Sequence, residues 1–521
     1  MALLLLYANK LYIMHEFTGE ETFNRSKCKA KYKSLIIKNM RQFNFFEQVL
    51  TQKISELESS APKREEKRLS LALLHIFDGI STEGNQIEQL MKATKGRCQN
   101  EIRQMVVKEV IRAADGDLWS QDFVQNTNAE QNVFCYIGSH WMKISSPQWK
   151  QFVRDSAVRC GVPESLTMDP IFMKKLQDTL SYNVFKDRQA ENHDNEVWLN
   201  LRNGTLVMKE DGTSELRPHR KEDLLFYELH YAYDPKADCP EFRNFINRVL
   251  PDEEVQRLVK EFIAYMFMRD HRYEKILWLV GEGQNGKSTL LIVLEALLGS
   301  ENVSNLSLDQ LTNDQIMRSS FEHKLANFSS ETGRDINVSV MKRICSGEAV
   351  TVEQKYVNPR EIRDYGKVVV ATNECPRPEN TSAFFRRIII LPFQTVITDE
   401  EKDVLLADKL KKELPGILNW ALEALPALIE RGAFTTCEIS ERALEEYRMA
   451  SDSVSLFNHE MLEQADVCTD GKTLFISYQV FCRDSGLNPV GKTTFYKRLD
   501  RLTHSGEKKG RCQYFKLKVV S

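Results

Sequence analysis

The stretch Ile276-Leu277-Trp278-Leu279-Val280-Gly281-Glu282-Gly283-Gln284-Asn285-Gly286-Lys287-Ser288-Thr289 decides how the rest of the chain is read. Five consecutive apolar residues predict a strand buried on both faces. Residues 281–288 then fit G-x-x-x-x-G-K-[ST], and 288–298 predict an apolar helix, so the motif stands between strand and helix as a phosphate-binding loop requires. Glycines let backbone N–H groups turn inward around phosphate oxygens, and the helix N-terminus adds its positive end. Lys287 brings a cation to the β- and γ-phosphates, and the Ser288 hydroxyl can ligate Mg²⁺. Gly281, Glu282, Gly283, Gln284, Asn285, Gly286, Lys287, Ser288 and Thr289 are therefore the candidate ATP-binding residues.

Hydrolysis needs further groups on later strands of the same sheet. Lys324-Leu325-Ala326-Asn327-Phe328-Ser329-Ser330-Glu331 reads as a strand ending in an acid, and Glu331 could polarise the attacking water and share the Mg²⁺ shell. Val368-Val369-Val370-Ala371-Thr372-Asn373 is a buried strand ending in an amide that can sense a γ-phosphate. Phe384-Phe385-Arg386-Arg387-Ile388 follows, and an arginine before the next apolar strand can act in trans as a finger on transition-state charge. The acid and the arginine pair also have ordinary readings, as a loop acid and a surface ion pair.

Around this core the chain changes texture. Residues 1–115 read as mostly helical, 116–250 as an α+β module with turns at Asn203-Gly204 and Asp211-Gly212, 251–435 as a domain in which 275–393 alternate strand and helix between helical flanks, and 436–521 as a small helix-rich domain ending in a strand pair. The total of 521 residues, 42% hydrophobic and 28% charged, is too apolar for a disordered chain. Eleven cysteines without a CxxC pair give neither a disulfide framework nor a zinc site. No 18-residue apolar run is found, and the apolar start Met1–Tyr7 lacks a charged n-region, so membrane insertion is not expected and a cytoplasmic location is.

The net charge of −3 hides an uneven distribution. Residues 25–41 hold seven Lys/Arg and no acid, which suits either a solvated basic face or nucleic acid. Residues 491–521 hold nine Lys/Arg against two acids. There 493–502 reads as a helix, 506–510 as a turn and 514–520 as a strand, a winged-helix arrangement. Lys492, Lys497, Arg498 and Arg501 could face a DNA groove, with Lys508 and Lys509 on the wing.

The order and closeness of these four elements resembles superfamily 3 helicases, the compact AAA+ type of small viruses and mobile elements, and within them the phage/plasmid primase–helicase family with its poxvirus-type members. Trp198-Leu199-Asn200-Leu201-Arg202-Asn203-Gly204 and Tyr233-Asp234-Pro235 are similar to that family's pre-ATPase domain. Ser330-Glu331-Thr332, Ala371-Thr372-Asn373 and Arg386-Arg387-Ile388 resemble its core, and Ser451-Asp452-Ser453-Val454 its C-terminal winged-helix segment. The resemblance covers roughly 120–521.

It implies an α/β fold with a P-loop AAA+ core, a helical N-terminal region, an α+β pre-ATPase domain and a C-terminal winged helix. It implies an ATP- and Mg²⁺-dependent DNA helicase working as a homo-oligomeric ring, a hexamer, on single-stranded and origin DNA in a bacterial host or infected cell. Glu331 takes the catalytic acid role, Asn373 the sensor, and Arg387 the finger with Arg386 as runner-up. Lys342 and Lys355, in and after 341–348, grip DNA phosphate. Residues 1–115 show no metal-binding carboxylate cluster in a strand, so this chain resembles the helicase without its primase, which a separate partner would supply. The alternative function is an origin-binding or regulatory DNA-dependent ATPase that does not unwind.

Overall fold

The computed structural model describes residues 61–81, 84–94, 97–120, 132–185, 196–330, 336–355, 357–373, 382–398, 400–485, 487, 489–509 and 512–519. The basic run at 25–41, Glu331, Tyr356 and the side chains of Lys508 and Lys509 lie outside the described residues. The chain divides into two compact units, one holding residues up to 192 with 219–230, the other 193–218 with 231–521.

The first unit opens with three helices, α1 (Ala61–Gly79), α2 (Gly84–Thr94) and α3 (Gln99–Ala114). A short antiparallel sheet follows, β1 (Leu118–Ser120), β2 (Val133–Tyr136) and β3 (Trp141–Lys143), and then α4 (Ser146–Arg159) and α5 (Pro170–Val184). The helix starts are written locally. Ser145 and Gln148 form a reciprocal capping box on α4, and Asp169 caps α5 ahead of Pro170. One core joins Ile76, Ile102, Val106 and Val110 of the helices to Val133, Cys135, Phe152 and Leu176.

The expected boundary between 115 and 116 runs through this core, with Ala114 and Leu118 buried on either side of it. The physical reason is that the apolar stripes of α1 and α3 find their cover in β2, α4 and α5. The stretch 116–250 is likewise divided, since its second sheet belongs to the other unit.

That second unit begins with an antiparallel sheet of β4 (Glu196–Leu201), β5 (Gly204–Lys209) and β6 (Ser214–Arg217), followed by α6 (Pro240–Val249) and α7 (Glu253–Met266). Its centre is a five-stranded parallel sheet. In chain order this holds β7 (Ile276–Val280), then α8 (Lys287–Leu298), β8 (Val303–Ser304) and β9 (Ala326–Ser329). Next come α9 (Val338–Cys345) and a separate hairpin of β10 (Val350–Gln354) and β11 (Val357–Ile362), and last β12 (Lys367–Thr372) and β13 (Ile388–Pro392).

The spatial order of the sheet is β13-β7-β12-β9-β8. Register places Val280 beside both Thr372 and Pro392, so three strands end level at one edge. β9 is less apolar than its neighbours because Asn327 is spent inside it: its carboxamide accepts from Ser304 Oγ at 2.7 Å and Leu306 N at 2.9 Å, and donates to Leu306 O at 3.0 Å.

The chain ends in α10 (Glu438–Ser451), α11 (Ser453–Met461), β14 (Leu462–Asp470), α12 (Gly471–Asp484), α13 (Lys492–Thr503), β15 (Gly506–Lys509) and β16 (Cys512–Val519). Its sheet is antiparallel, ordered β14-β16-β15, over a core of Phe457, Leu474, Tyr478, Phe495, Leu499 and Phe515. Tyr447 of α10 packs on Trp278 and Phe385, with ring centroids 5.7 and 5.4 Å away.

At the opposite edge of the parallel sheet from the aligned strand ends, Lys367 is 2% exposed. Its Nζ donates to Met268 O at 2.8 Å and lies 4.6 Å from the Tyr265 ring centroid. Burial pushes its ammonium down to about 7, against the support of Asp270 and Asp364. Unfolded, it would titrate near 10.5. Between those values the unfolded chain binds more protons than the folded one, so this group makes stability rise as pH climbs from about 7 towards 10. Lys367→Met should flatten that rise, read as the change in urea midpoint between pH 7 and pH 9.5.

Candidate nucleotide site

The loop 281–286 leaves the sheet at the level edge, and its shape follows from its glycines. A Cβ on Gly281 would collide with the Asn285 amide and the carbonyl of Phe393. Gly286 has φ +89°, and a Cβ there would lie 2.7 Å from Val249 Cγ1 of α6. Gly286 is also the residue that caps α8, and it offers no side chain to the first-turn N–H groups. Those donors therefore point out of the helix as an anion-binding end.

Lys287, the first residue of α8, is 6% exposed. Its ammonium donates to Gly281 O and, at 3.1 Å, to Asn285 Oδ1. Burial holds its pKa below the usual lysine value. Negative phosphate oxygens would relieve that penalty. Ser288 is exposed on the first turn and Thr289 half-buried, while Glu282 and Gln284 face solvent. Uncapped helix end, glycine cradle and buried cation fit a polyphosphate. The Ser288 hydroxyl is the described group that could reach its metal ion.

The neighbouring strands bring some expected residues to this edge. Asn373 is exposed immediately after Thr372, whose carbonyl accepts from Gly281 N at 3.3 Å. Ser329 pairs with Val370 and ends β9, and Ser330 is exposed just beyond it. The segment after β13 clasps the loop: Phe393 N donates to Val280 O at 2.7 Å, Ile397 N to Gln284 O at 2.8 Å, and Asn285 Nδ2 to Phe393 O at 3.2 Å. The sequence puts Asn285 in the loop without revealing this last bond. Its only local signal is the five-residue apolar strand 388–392, which ends there.

The two arginines part company. Arg387 is buried, and its guanidinium bonds Ala383 O at 2.7 Å, Ser346 Oγ at 3.0 Å and the Glu274 carboxylate at 2.7 Å. Arg386 is exposed, with its guanidinium 3.8 Å from Glu274. Both precede β13, whereas the loop follows β7, which runs parallel beside it. A strand of this length puts them roughly 16 Å from the loop of their own chain.

Of the expected DNA contacts, Lys355 stands exposed at the turn of the β10–β11 hairpin. Lys342 is half-buried on α9, whose Met341, Ile344 and Cys345 enter the core. Lys492, Lys497 and Arg501 are exposed on α13. Arg498 instead bonds Asp452, the cap of α11, at 3.1 Å. Among the described residues, Asp252, Glu254 and Cys437 bring ligand atoms within 4.8 Å of one another, but Asp252 is already the cap of α7. No described helix is long and apolar enough to cross a membrane.

The model of a family described as "Family of unknown function (DUF5906)" matches residues 279–387, from β7 through Arg387. A second, described as "D5 N terminal like", matches 165–251. The chain is 24% identical over 279 residues to a protein of Acanthamoeba polyphaga mimivirus named as a candidate helicase, L207/L206, covering 49% of this chain and 29% of that one. It is 23% identical over 248 residues to a similarly named protein, 121R, of Invertebrate iridescent virus 3, covering 44% and 26%. The match thus spans less than a third of either relative's length. Among solved structures, the apo C-terminal region of NrS-1 is similar at a TM-score of 0.45 and 12% identity, over 80% of this chain and 99% of that one.

Proposed function

We propose that the chain is the ATP-hydrolysing motor of a DNA helicase, with a superfamily 3 type P-loop core and a C-terminal winged helix. The observation that carries this reading is the uncapped start of α8 behind a glycine loop with Lys287 buried against it. The helicase names of the viral relatives support it.

On this reading Lys287 leaves its two loop acceptors for the β- and γ-phosphates. The first-turn amides of α8 hold the remaining oxygens, and Ser288 contributes its hydroxyl to the metal. Mg²⁺, when bound, neutralises phosphate charge as the bond to the leaving group breaks. Glu331 orients the attacking water and Asn373 reads the γ-phosphate. The finger comes from a neighbouring subunit of a ring, because the arginine pair is too distant within one chain; exposed Arg386 suits that role better than buried Arg387.

Lys355 meets the DNA strand, and Lys342 is the second candidate contact. Lys355→Ala should weaken single-stranded DNA binding and flatten the slope of log affinity against log salt by ~0.7 for each phosphate that is no longer neutralised. Fluorescence anisotropy across a salt series checks this.

The deciding experiment measures ATPase activity with and without single-stranded DNA, alongside native mass. DNA-stimulated hydrolysis by an oligomer is expected; full activity as a monomer indifferent to DNA would sink the reading. The exposed Lys492, Lys497 and Arg501 on α13 favour one second reading, an origin-binding switch ATPase. A strand-displacement assay separates the two.

A further inference from the structure

We propose that Asn285 is a positioning residue for Lys287, a neutral placeholder that holds the lysine ready and gives it up to phosphate. The inference rests on the nucleotide reading of the loop.

Asn285 is 4% exposed, and both ends of its carboxamide are engaged. Oδ1 accepts from Lys287 Nζ at 3.1 Å, and Nδ2 donates to Phe393 O at 3.2 Å. One side chain thus joins the ammonium that would meet phosphate to the backbone just past β13. The next bond along, Ile397 N to Gln284 O, fixes the same two segments at a second point. Gly281 completes the arrangement, since a Cβ there would occupy the space of the Asn285 amide and of the Phe393 carbonyl it bonds. The glycine that opens the motif therefore admits Asn285 in addition to any role towards phosphate.

The choice of an amide has a chemical logic. A buried ammonium needs acceptors before substrate arrives, or it pulls away towards water. A neutral carbonyl oxygen satisfies it, yet loses to a phosphate oxygen, because hydrogen bonds to an ionised acceptor are roughly twice as strong. A carboxylate at the same point would hold the lysine in an ion pair and repel the incoming phosphates.

The test compares Asn285→Ala, Asn285→Asp and Lys287→Ala in the full chain. Affinity for a fluorescent ATP analogue with Mg²⁺, KM and kcat are measured, with melting temperature recorded for each variant. Asn285→Ala should weaken binding by ~5–10-fold, the scale of one lost hydrogen bond. Asn285→Asp, although nearly isosteric, should weaken it by ~100-fold, the scale of a competing charge. It should nevertheless melt at or above the alanine variant, because its carboxylate pairs with Lys287.

A merely structural role predicts the reverse binding order, with the isostere closer to wild type. Should Asn285→Asp bind as well as Asn285→Ala while Lys287→Ala loses binding, the placeholder role is overturned and the nucleotide reading stands. If wild type does not bind, or Lys287→Ala binds as wild type does, the nucleotide reading falls and the placeholder role with it.

Discussion

On the proposed reading, Lys287→Ala should abolish ATP hydrolysis, lowering turnover by on the order of 10³-fold, the scale of removing one group that meets developing charge. The chain will still fold. Burial already penalises this ammonium, so deleting it removes that cost along with its two hydrogen bonds. Lys287→Arg should fare little better in turnover despite keeping the charge. A planar guanidinium cannot fold back onto Gly281 O and Asn285 Oδ1 as a flexible ammonium does. Single-turnover hydrolysis beside thermal melts checks both statements. A Lys287→Ala variant that hydrolyses ATP at even a tenth of the wild-type rate would remove the lysine from the chemistry.

The second large effect separates two adjacent residues of the same type. Arg386→Ala should eliminate hydrolysis while leaving nucleotide affinity and melting temperature near wild type, because the side chain is exposed and only distantly paired. Arg387→Ala should instead unfold the protein more easily. It strips Glu274 of its close partner and leaves Ser346 Oγ and Ala383 O without their donor. Glu274 stays open to water, so the loss comes mainly from the acceptors left without a donor, about 1–3 kcal/mol. Mixing Arg386→Ala subunits with Lys287→Ala subunits should restore part of the activity, since a mixed interface can join an intact loop to an intact finger. No recovery in such mixtures would count against action in trans.

These arginines also show where sequence stops being informative. Strand β7, its loop and α8 were readable because their signals are local: an apolar run, glycines, and an apolar helix after the lysine. Strands β12 and β13 were readable for the same reason, being continuous apolar runs. Nothing local separates Arg386 from Arg387. Their difference is set by Glu274, over a hundred positions away, in a turn where it takes a left-handed φ of +49°.

β14 was equally invisible. Leu462–Asp470 carries no apolar alternation, and its strand exists because β16 pairs with it. The boundary at 115 failed because α3 looks self-contained as an amphipathic pattern, whereas the surface that covers it comes from α4 and α5. Charge alone does not reveal that Arg498 pairs with Asp452 across the domain.

The contact between Gly286 and Val249 bears on how this protein can be cut. α6 forms a wall of the loop, and the segment leading into it is tied to the same unit. Tyr231 Oη donates to Leu297 O at 3.1 Å, Asn419 Nδ2 donates to Asp234 O at 2.8 Å, and the Glu413 carboxylate accepts from Phe242 N at 2.9 Å. A truncated version starting at 251 would therefore lose the backing of the 281–286 loop and bare the face of Trp420 that Phe242 covers. The same unit also holds 193–218, so a fragment that keeps the whole unit begins no later than 193. A boundary drawn at the edge of the 281–288 motif alone should yield a less stable protein, read as a lower melting temperature than that of the full chain.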